Sequence, residues 1–202
     1  MTKPKEATTK DKILRVAAKM FSENGYDRVT TREIAKAVGI NAASIYYYFP
    51  SKEDILKSLY GFYSANLQKG NPNLEELLRL AETGPPHEVL MKSEFHFRDE
   101  KIREMLDQII IIASRRFGAG PESEFFIKEN IFDNIVNILR PLLSRLVELK
   151  KIKPFDVDAF LMVLSYYCFS AAALNNTPFR QSVAEYQAGM SLLFSMITPA
   201  DE

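Results

Sequence analysis

This sequence predicts an all-α fold in two parts. An N-terminal three-helix unit of the helix-turn-helix kind spans residues 1–52, and a larger helical bundle spans residues 53–202. Three observations predict it. Apolar residues recur at three- and four-residue spacing along nearly the whole chain, as an amphipathic helix requires. No strand-type alternation of useful length interrupts them; the β-branched run Ile109–Ile112 lies inside a longer helical pattern. The segment Thr30–Lys52, T-T-R-E-I-A-K-A-V-G-I-N-A-A-S-I-Y-Y-Y-F-P-S-K, carries the punctuation of two short helices joined by a glycine turn.

The elements follow in order. Lys10–Glu23 is the first helix: Ile13, Ala17 and Phe21 repeat every four residues, Leu14 and Ala18 widen the stripe, and Asn24-Gly25 ends it. Thr30 and Glu33 form a T-x-x-E capping box, in which each side chain satisfies the other's orphaned backbone N–H. Ile34 and Val38 share a face, and Gly39 suits a left-handed helix end. Asn41 caps Ala42–Tyr48, whose Ile45 packs inward with Phe49. Pro50 stops that helix, and Ser51 with Asp54 starts the next.

Glu53–Lys69 places Leu56, Leu59, Tyr60 and Tyr63 at helical spacing. Asn73 caps Leu74–Glu82, which Thr83-Gly84-Pro85-Pro86 terminates. Helices over His87–Arg98 and Asp99–Phe117 come next, then the loop Gly118–Pro121. The long helix Glu122–Lys150 contains Pro141, which is expected to kink or interrupt it by removing a backbone bond. Pro154 and Asp156 open Phe155–Leu174, Asn175–Pro178 closes it, and Gln181–Ile197 is the last helix. The total is about nine or ten helices, packed as a bundle. No internal repeat or low-complexity tract is present.

A hydrophobic content of 47% with 26% charged residues is ordinary for a globular chain of 202 residues. The net charge of zero conceals an asymmetry. Residues 1–52 hold 10 Lys/Arg against 5 Asp/Glu, and residues 53–202 hold 16 against 21. The positive part coincides with the helix-turn-helix, and a basic patch supplies sequence-independent attraction to phosphate. The N-terminus has no apolar core of a signal peptide, so the chain reads as cytoplasmic. Ala159–Phe179 has no formal charge, but its apolar part, Ala159–Leu174, falls short of the roughly 20 residues of a membrane span, so a buried helix is expected. The single cysteine, Cys168, excludes an internal disulfide and reads as a buried, inert thiol. With two histidines, His87 and His96, and no G-x-S-x-G, P-loop, H-E-x-x-H or C-x-x-C, the chain reads as neither an enzyme nor a metal protein, and no cofactor is expected.

The stretch Ile13–Leu56, centred on F-S-E-N-G-Y-D-R-V-T-T-R-E-I-A-K-A-V-G-I-N-A-A-S-I-Y-Y-Y-F-P-S-K-E-D-I-L, resembles the DNA-binding domain of TetR-family transcriptional regulators. The G-Y, the I-A-x-x-x-G-I turn, the I-Y-x-Y-F and the P-S-K-E fall in family order and spacing. The rest resembles the family only in being helical and of the right length. The resemblance implies a ligand-released repressor that binds a palindromic operator as a homodimer. Residues of about 155–174 and 181–197 would pair with their mates. It also implies a small-molecule pocket in the larger domain.

Under that resemblance the DNA-reading candidates are Asn41, Ala42, Ala43, Ser44, Tyr46, Tyr47 and Tyr48. Tyr46 matches the family's most regular contacting tyrosine, and Ala43 suits a thymine methyl. Thr31 and Arg32, at the start of their helix, are expected at backbone phosphates. Lys52 matches a family phosphate contact. The chain departs from the family at Ala42-Ala43, where many members carry Lys or Arg and then Gly or Pro. The recognition helix therefore has no cation, and specificity shifts towards Arg32, Tyr47, methyl contacts and DNA shape.

Seventeen of the 23 aromatic residues lie beyond residue 52. An apolar or aromatic effector is expected, with Tyr63, Phe95, His96, Gln108, Tyr166 and Tyr167 as candidate pocket residues. Two other readings stay open. One is a DNA-binding protein of this fold without an effector, constitutive or chromosome-organising. The other is a ligand-binding dimer that reads no specific DNA.

Overall fold

Thr8 opens α1, Thr9–Asn24, with a capping box: its hydroxyl accepts from Asp11 N, and Asp11 accepts from Thr8 N. A computed structural model describes residues 8–93, 99–174 and 181–198 of the chain. Among the described residues every element is helical: eleven α-helices and one π-helical segment. The all-α expectation holds.

The head is built by α1, α2 (Thr31–Val38) and α3 (Ala42–Tyr48). Thr30 and Glu33 form the expected capping box. Gly39 takes φ +80°, a left-handed backbone that a side chain would strain, and its N–H caps α2. Asn41 Oδ1 accepts from Ala43 N at 2.9 Å to start α3. Ile13, Ala17, Ala18, Phe21, Ile34, Ile45 and Phe49 are fully or nearly fully buried together, so one apolar face from each helix closes the head's core.

The head does not stand alone. α4, Lys52–Gly70, starts within it and continues into the larger bundle, and α7, Glu100–Arg115, packs along α1. Leu59, Tyr60, Tyr63, Ile109 and Ile112 extend the same core without a break. α5 (Leu74–Thr83) and α6 (Pro86–Met91) form one side of the bundle. The expected helix His87–Arg98 is thus shorter, and residues 94–98 lie outside the described residues. α8 (Pro121–Ile127) is anchored to α4 by aromatic contacts: Phe126 stacks on Tyr60 at 4.2 Å and meets Tyr63 edge-on at 5.0 Å, and Tyr60 Oη lies 2.8 Å from Ser123 Oγ.

The long helix expected over Glu122–Lys150 breaks elsewhere than at its proline. Residues Lys128–Asp133 are π-helical, and α9, Asn134–Glu148, runs through Pro141. Pro141 forfeits one backbone bond. Leu139, Leu142, Leu143 and Leu146 around it are buried, and burying an aliphatic side chain is worth about 1.5–3 kcal/mol. Together they offset the proline.

α10, Val157–Leu174, and α11, Val183–Ser195, complete the chain. They cross closely at Gly189, where an added Cβ would lie 2.0 Å from Tyr167 Oη. Tyr167 stacks on Tyr186 at 5.6 Å and donates to the Tyr186 carbonyl at 3.1 Å. The expectation that α10 is simply buried needs correction. Leu161, Leu164 and Ser165 face inward, but Met162, Val163 and Tyr166 are each more than half exposed. The hydrophobicity of this helix exceeds what the monomer core can absorb.

Candidate nucleic-acid interface and internal cavity

Two features of the fold gather candidate function: one polar edge of the head and one cavity in the bundle.

The head's edge is formed where α2 begins and α3 passes it. Thr31 Oγ1 and Tyr46 Oη are 3.0 Å apart, so the start of α2 and the outer face of α3 meet. Arg32, Ala43, Ser44, Tyr46 and Tyr47 are exposed there, while Ala42 and Tyr48 are half-buried and pack against the core. Tyr47 is 86% exposed. Tyr48 meets it edge-on at 5.2 Å. Glu33, the one acid of α2, is committed to Thr30 N and Oγ1 at 2.8 Å each, and those bonds lower its pKa. The edge therefore presents hydroxyls, methyls and Arg32, with the nearby carboxylate tied into the cap.

Lys52 is placed differently from the expectation of an outward, phosphate-seeking ammonium. Its Nζ donates to the Tyr26 and Val29 carbonyls at 3.0 and 3.1 Å and sits 4.3 Å from the centre of the Tyr26 ring. The geometry gives it a holding role in the loop before α2. Tyr26 is the hub of this region. Its hydroxyl donates to Glu53 at 3.0 Å, its ring lies 5.0 Å from Phe21, and the Arg116 guanidinium stands 4.1 Å from its centre. Burial, then the bond to Glu53, pushes its phenol well above the ordinary range.

Arg115 Nη1 donates to the Ser22 carbonyl, and Arg116 Nη1 lies 3.3 Å from Asp27. Both arginines stand at the end of α7, so this helix grips the head at its C-terminus. Sequence reading did not single them out. No periodic signal distinguishes an arginine that crosses a domain junction from one in water.

The middle of the same helix lines a cavity of about 230 Å³. Leu106, Asp107 and Ile110 of α7 face Tyr63 and Leu67 of α4, Asn130 and Ile131 of the π segment, and Cys168, Tyr186, Met190 and Phe194 of α10 and α11. π-helical turns often occur at functional sites, and here one forms part of the wall. Of the sequence candidates, Tyr63 is in the lining. Gln108, Tyr166 and Tyr167 are not: Tyr166 is exposed and edge-on to Phe132 at 5.3 Å, and Tyr167 is bound to Tyr186. Phe95 and His96 lie outside the described residues. Cys168 is half-buried in the wall, with Sγ 3.5 Å from Tyr186 Oη, and is not the sealed thiol expected. Among the described residues no group of three or more His, Cys, Asp or Glu is placed to hold a metal ion.

Asp107 is the unexpected group. It lines the cavity at a solvent-exposed edge, and the surrounding protein still raises its pKa from 3.8 to about 6; Arg103 opposes the shift and Glu104 adds to it. The faint sequence signal was a carboxylate beside Leu106 and three residues before Ile110 on an apolar face.

Residues 13–59 match the family model described as "Bacterial regulatory proteins, tetR family". Over 126 residues the chain is 30% identical to the nucleoid occlusion factor SlmA of Aliivibrio fischeri, covering 54% of this chain and 64% of that protein. Over 46 residues it is 54% identical to the HTH-type negative transcriptional regulator IcaR of Staphylococcus aureus, covering 23% and 25%. The chain thus spans less than two thirds of the length of these curated relatives. A solved tetR-family regulatory protein from Rhodococcus RHA1 shares the fold over 96% of this chain and 99% of that one, with a TM-score of 0.67 at 16% identity. Residues 13–59 thus form a helix-turn-helix domain of the tetR regulatory type, and the chain as a whole shares the fold of solved tetR-family proteins. Among the described residues no helix is long and apolar enough to cross a membrane.

Two outcomes follow. Lys52→Ala should lower stability by about 1.5–3 kcal/mol, the range for bonds to a charged group. It should leave the salt dependence of DNA binding unchanged, where loss of a phosphate contact reduces the slope by about one. Denaturant unfolding and a salt titration of binding check both. For Asp107, the raised folded pKa means the folded state holds the extra proton between about pH 4 and pH 6. Stability from this group is therefore largest below the unfolded pKa and is lost as pH rises through about 6. Asp107→Asn should raise the melting temperature above wild type at pH 8 and lose that advantage by pH 4.

Proposed function

We propose that this protein is a dimeric transcriptional repressor whose hold on a palindromic operator is released when a small molecule enters the α7 cavity. The observation that carries the reading is the double engagement of α7. Leu106, Asp107 and Ile110 line the cavity, and Arg115 and Arg116 at the end of the same helix hold Ser22, Tyr26 and Asp27 of the head. A helix is stiff, so a displacement by an occupant is passed to the head.

Dimerisation is supported by the outer faces of α10 and α11. Met162 and Tyr166 lie four apart, as do Leu192 and Met196, and each is more than half exposed. Such stripes are unfavourable in water and suit a helix-to-helix contact with a second copy. Repression is supported by the likeness of the head to IcaR, a negative regulator. The likeness to SlmA, a nucleoid occlusion factor, is the observation behind a second reading, in which this protein is a chromosome-organising DNA binder and has no effector.

DNA would be met by the edge around Thr31 and Tyr46, with α3 in the major groove. Tyr46→Ala should weaken operator binding at least tenfold in a mobility-shift assay while the dimer persists in sedimentation. Unchanged binding removes Tyr46 from the interface. Leu192→Glu with Met162→Glu should shift the protein to monomer in sedimentation and weaken operator binding with it. Selection of bound genomic fragments, repeated with a compound that binds saturably, tests the reading as a whole. Recovery of a palindrome that the compound releases supports it; a palindrome that no cavity ligand releases favours the second reading.

A further inference from the structure

Tyr26, Tyr60 and Tyr63 are each only 7% exposed, but their hydroxyls fare differently. Tyr26 donates to Glu53 at 3.0 Å, and Tyr60 Oη lies 2.8 Å from Ser123 Oγ. Tyr63 lines the cavity, its ring set edge-on to Phe126 at 5.0 Å, and among the described residues its hydroxyl has no hydrogen-bond partner. A buried tyrosine ordinarily pairs its hydroxyl, because an unpaired one loses water and gains nothing. Burial first, then Asp107 and Cys168 in the same wall, push the Tyr63 phenol well above its ordinary range. The group therefore stays protonated and offers the cavity a donor.

The rest of the wall leaves that donor to an occupant. Leu67, Leu106, Ile110, Ile135, Leu139 and Phe194 are buried and supply apolar surface. The Ser93 hydroxyl and Asn130 Nδ2 are already committed to the Leu90 and Phe126 carbonyls, at 2.6 and 2.9 Å. Among the described lining residues the two charges, Arg103 and Asp107, are exposed, opposite in sign and one helical turn apart. Arg103 Nη2 also lies 3.4 Å from Glu100. Charges so placed are hydrated and screened, and they select a ligand weakly. An ionised group drawn inward loses its water among aliphatic side chains with no buried counter-charge. A plain hydrocarbon leaves Tyr63 unpaired. A neutral oxygen acceptor meets both conditions. At about 230 Å³ the cavity is smaller than most ligand pockets, which suits a slender molecule.

We infer that the cavity takes a neutral, slim aliphatic molecule bearing a carbonyl oxygen, a ketone or ester, which accepts a hydrogen bond from Tyr63 while its chain lies along the aliphatic wall. The inference rests on reading the cavity as the effector site. It narrows the broader expectation of an apolar or aromatic effector to an uncharged acceptor.

The test uses four probes of similar chain length on the full-length protein, by ligand-observed NMR titration below their solubility or aggregation limits: 2-octanone, 1-octene, octanoate and octyltrimethylammonium. The ketone should bind about fivefold tighter than octene, the worth of one neutral hydrogen bond. Both ions should bind about tenfold or more weaker than the ketone. Tyr63→Phe keeps the ring; it should remove the ketone's advantage, leave octene within about twofold, and melt no lower than wild type, since no bond within the protein is lost. An ion binding as tightly as the ketone, a ketone advantage that survives Tyr63→Phe, a lower melting temperature in that variant, or binding of none of the four overturns the inference. If Tyr63→Phe does not fold, its hydroxyl has a structural partner and the inference fails. Operator release measured with the same probes separates the two claims. Ketone binding through Tyr63 without release upholds the ligand class and defeats the gating reading. Release by either ion instead upholds gating and defeats the ligand class.

Discussion

The junction at Tyr26 is the constraint on which the rest of the architecture depends. One ring receives the Lys52 ammonium and the Arg116 guanidinium, contacts Phe21, and sends its hydroxyl to Glu53. Four segments thereby share one point: the end of α1, the loop before α2, the start of α4 and the end of α7. Cation–π contacts strengthen when water is excluded, and Tyr26 is buried. The head is consequently oriented by a polar cluster as well as by its apolar core. A polar cluster depends on direction more sharply than apolar packing does, so it can hold the head at a defined angle.

That junction gives α7 its mechanical meaning. The helix is short enough to be rigid and long enough to reach from Arg103 to Arg116, from the cavity rim to the head. Asp107 lies on that same helix, at the exposed edge of the cavity, where the surrounding protein raises its pKa.

The outer faces of α10 and α11 express a different balance. Core positions such as Leu161, Leu164, Met190 and Phe194 are satisfied within the chain, whereas Met162, Tyr166, Leu192 and Met196 are not. The close approach at Gly189 keeps the two helices together as one surface. The proposed second copy is what relieves this surface. The basic head, with its surplus of five positive charges, lies on the other side of this division of labour.

Local chemistry made much of this legible in the chain itself. Capping at Thr30, Asn41, Ser51 and Asn73, the left-handed Gly39 and the three- and four-residue apolar spacing each act within a few residues. The helix-turn-helix and the bounds of α3 could therefore be read directly, and family likeness followed from them. Where a preference competes with packing, sequence was a weaker guide. Pro141 does not interrupt its helix, and the change of helix type falls at Lys128–Asp133, where no single residue announces it. What sequence by itself determined was the fold class and the helix-turn-helix head. Only the tertiary structure decided that Lys52 holds a loop, that Asp107 lines a cavity while Tyr166 and Tyr167 do not, and that Arg115 and Arg116 cross to the head. Those facts depend on residues tens of positions apart meeting in space, and no periodicity or motif encodes which distant partner a side chain will find.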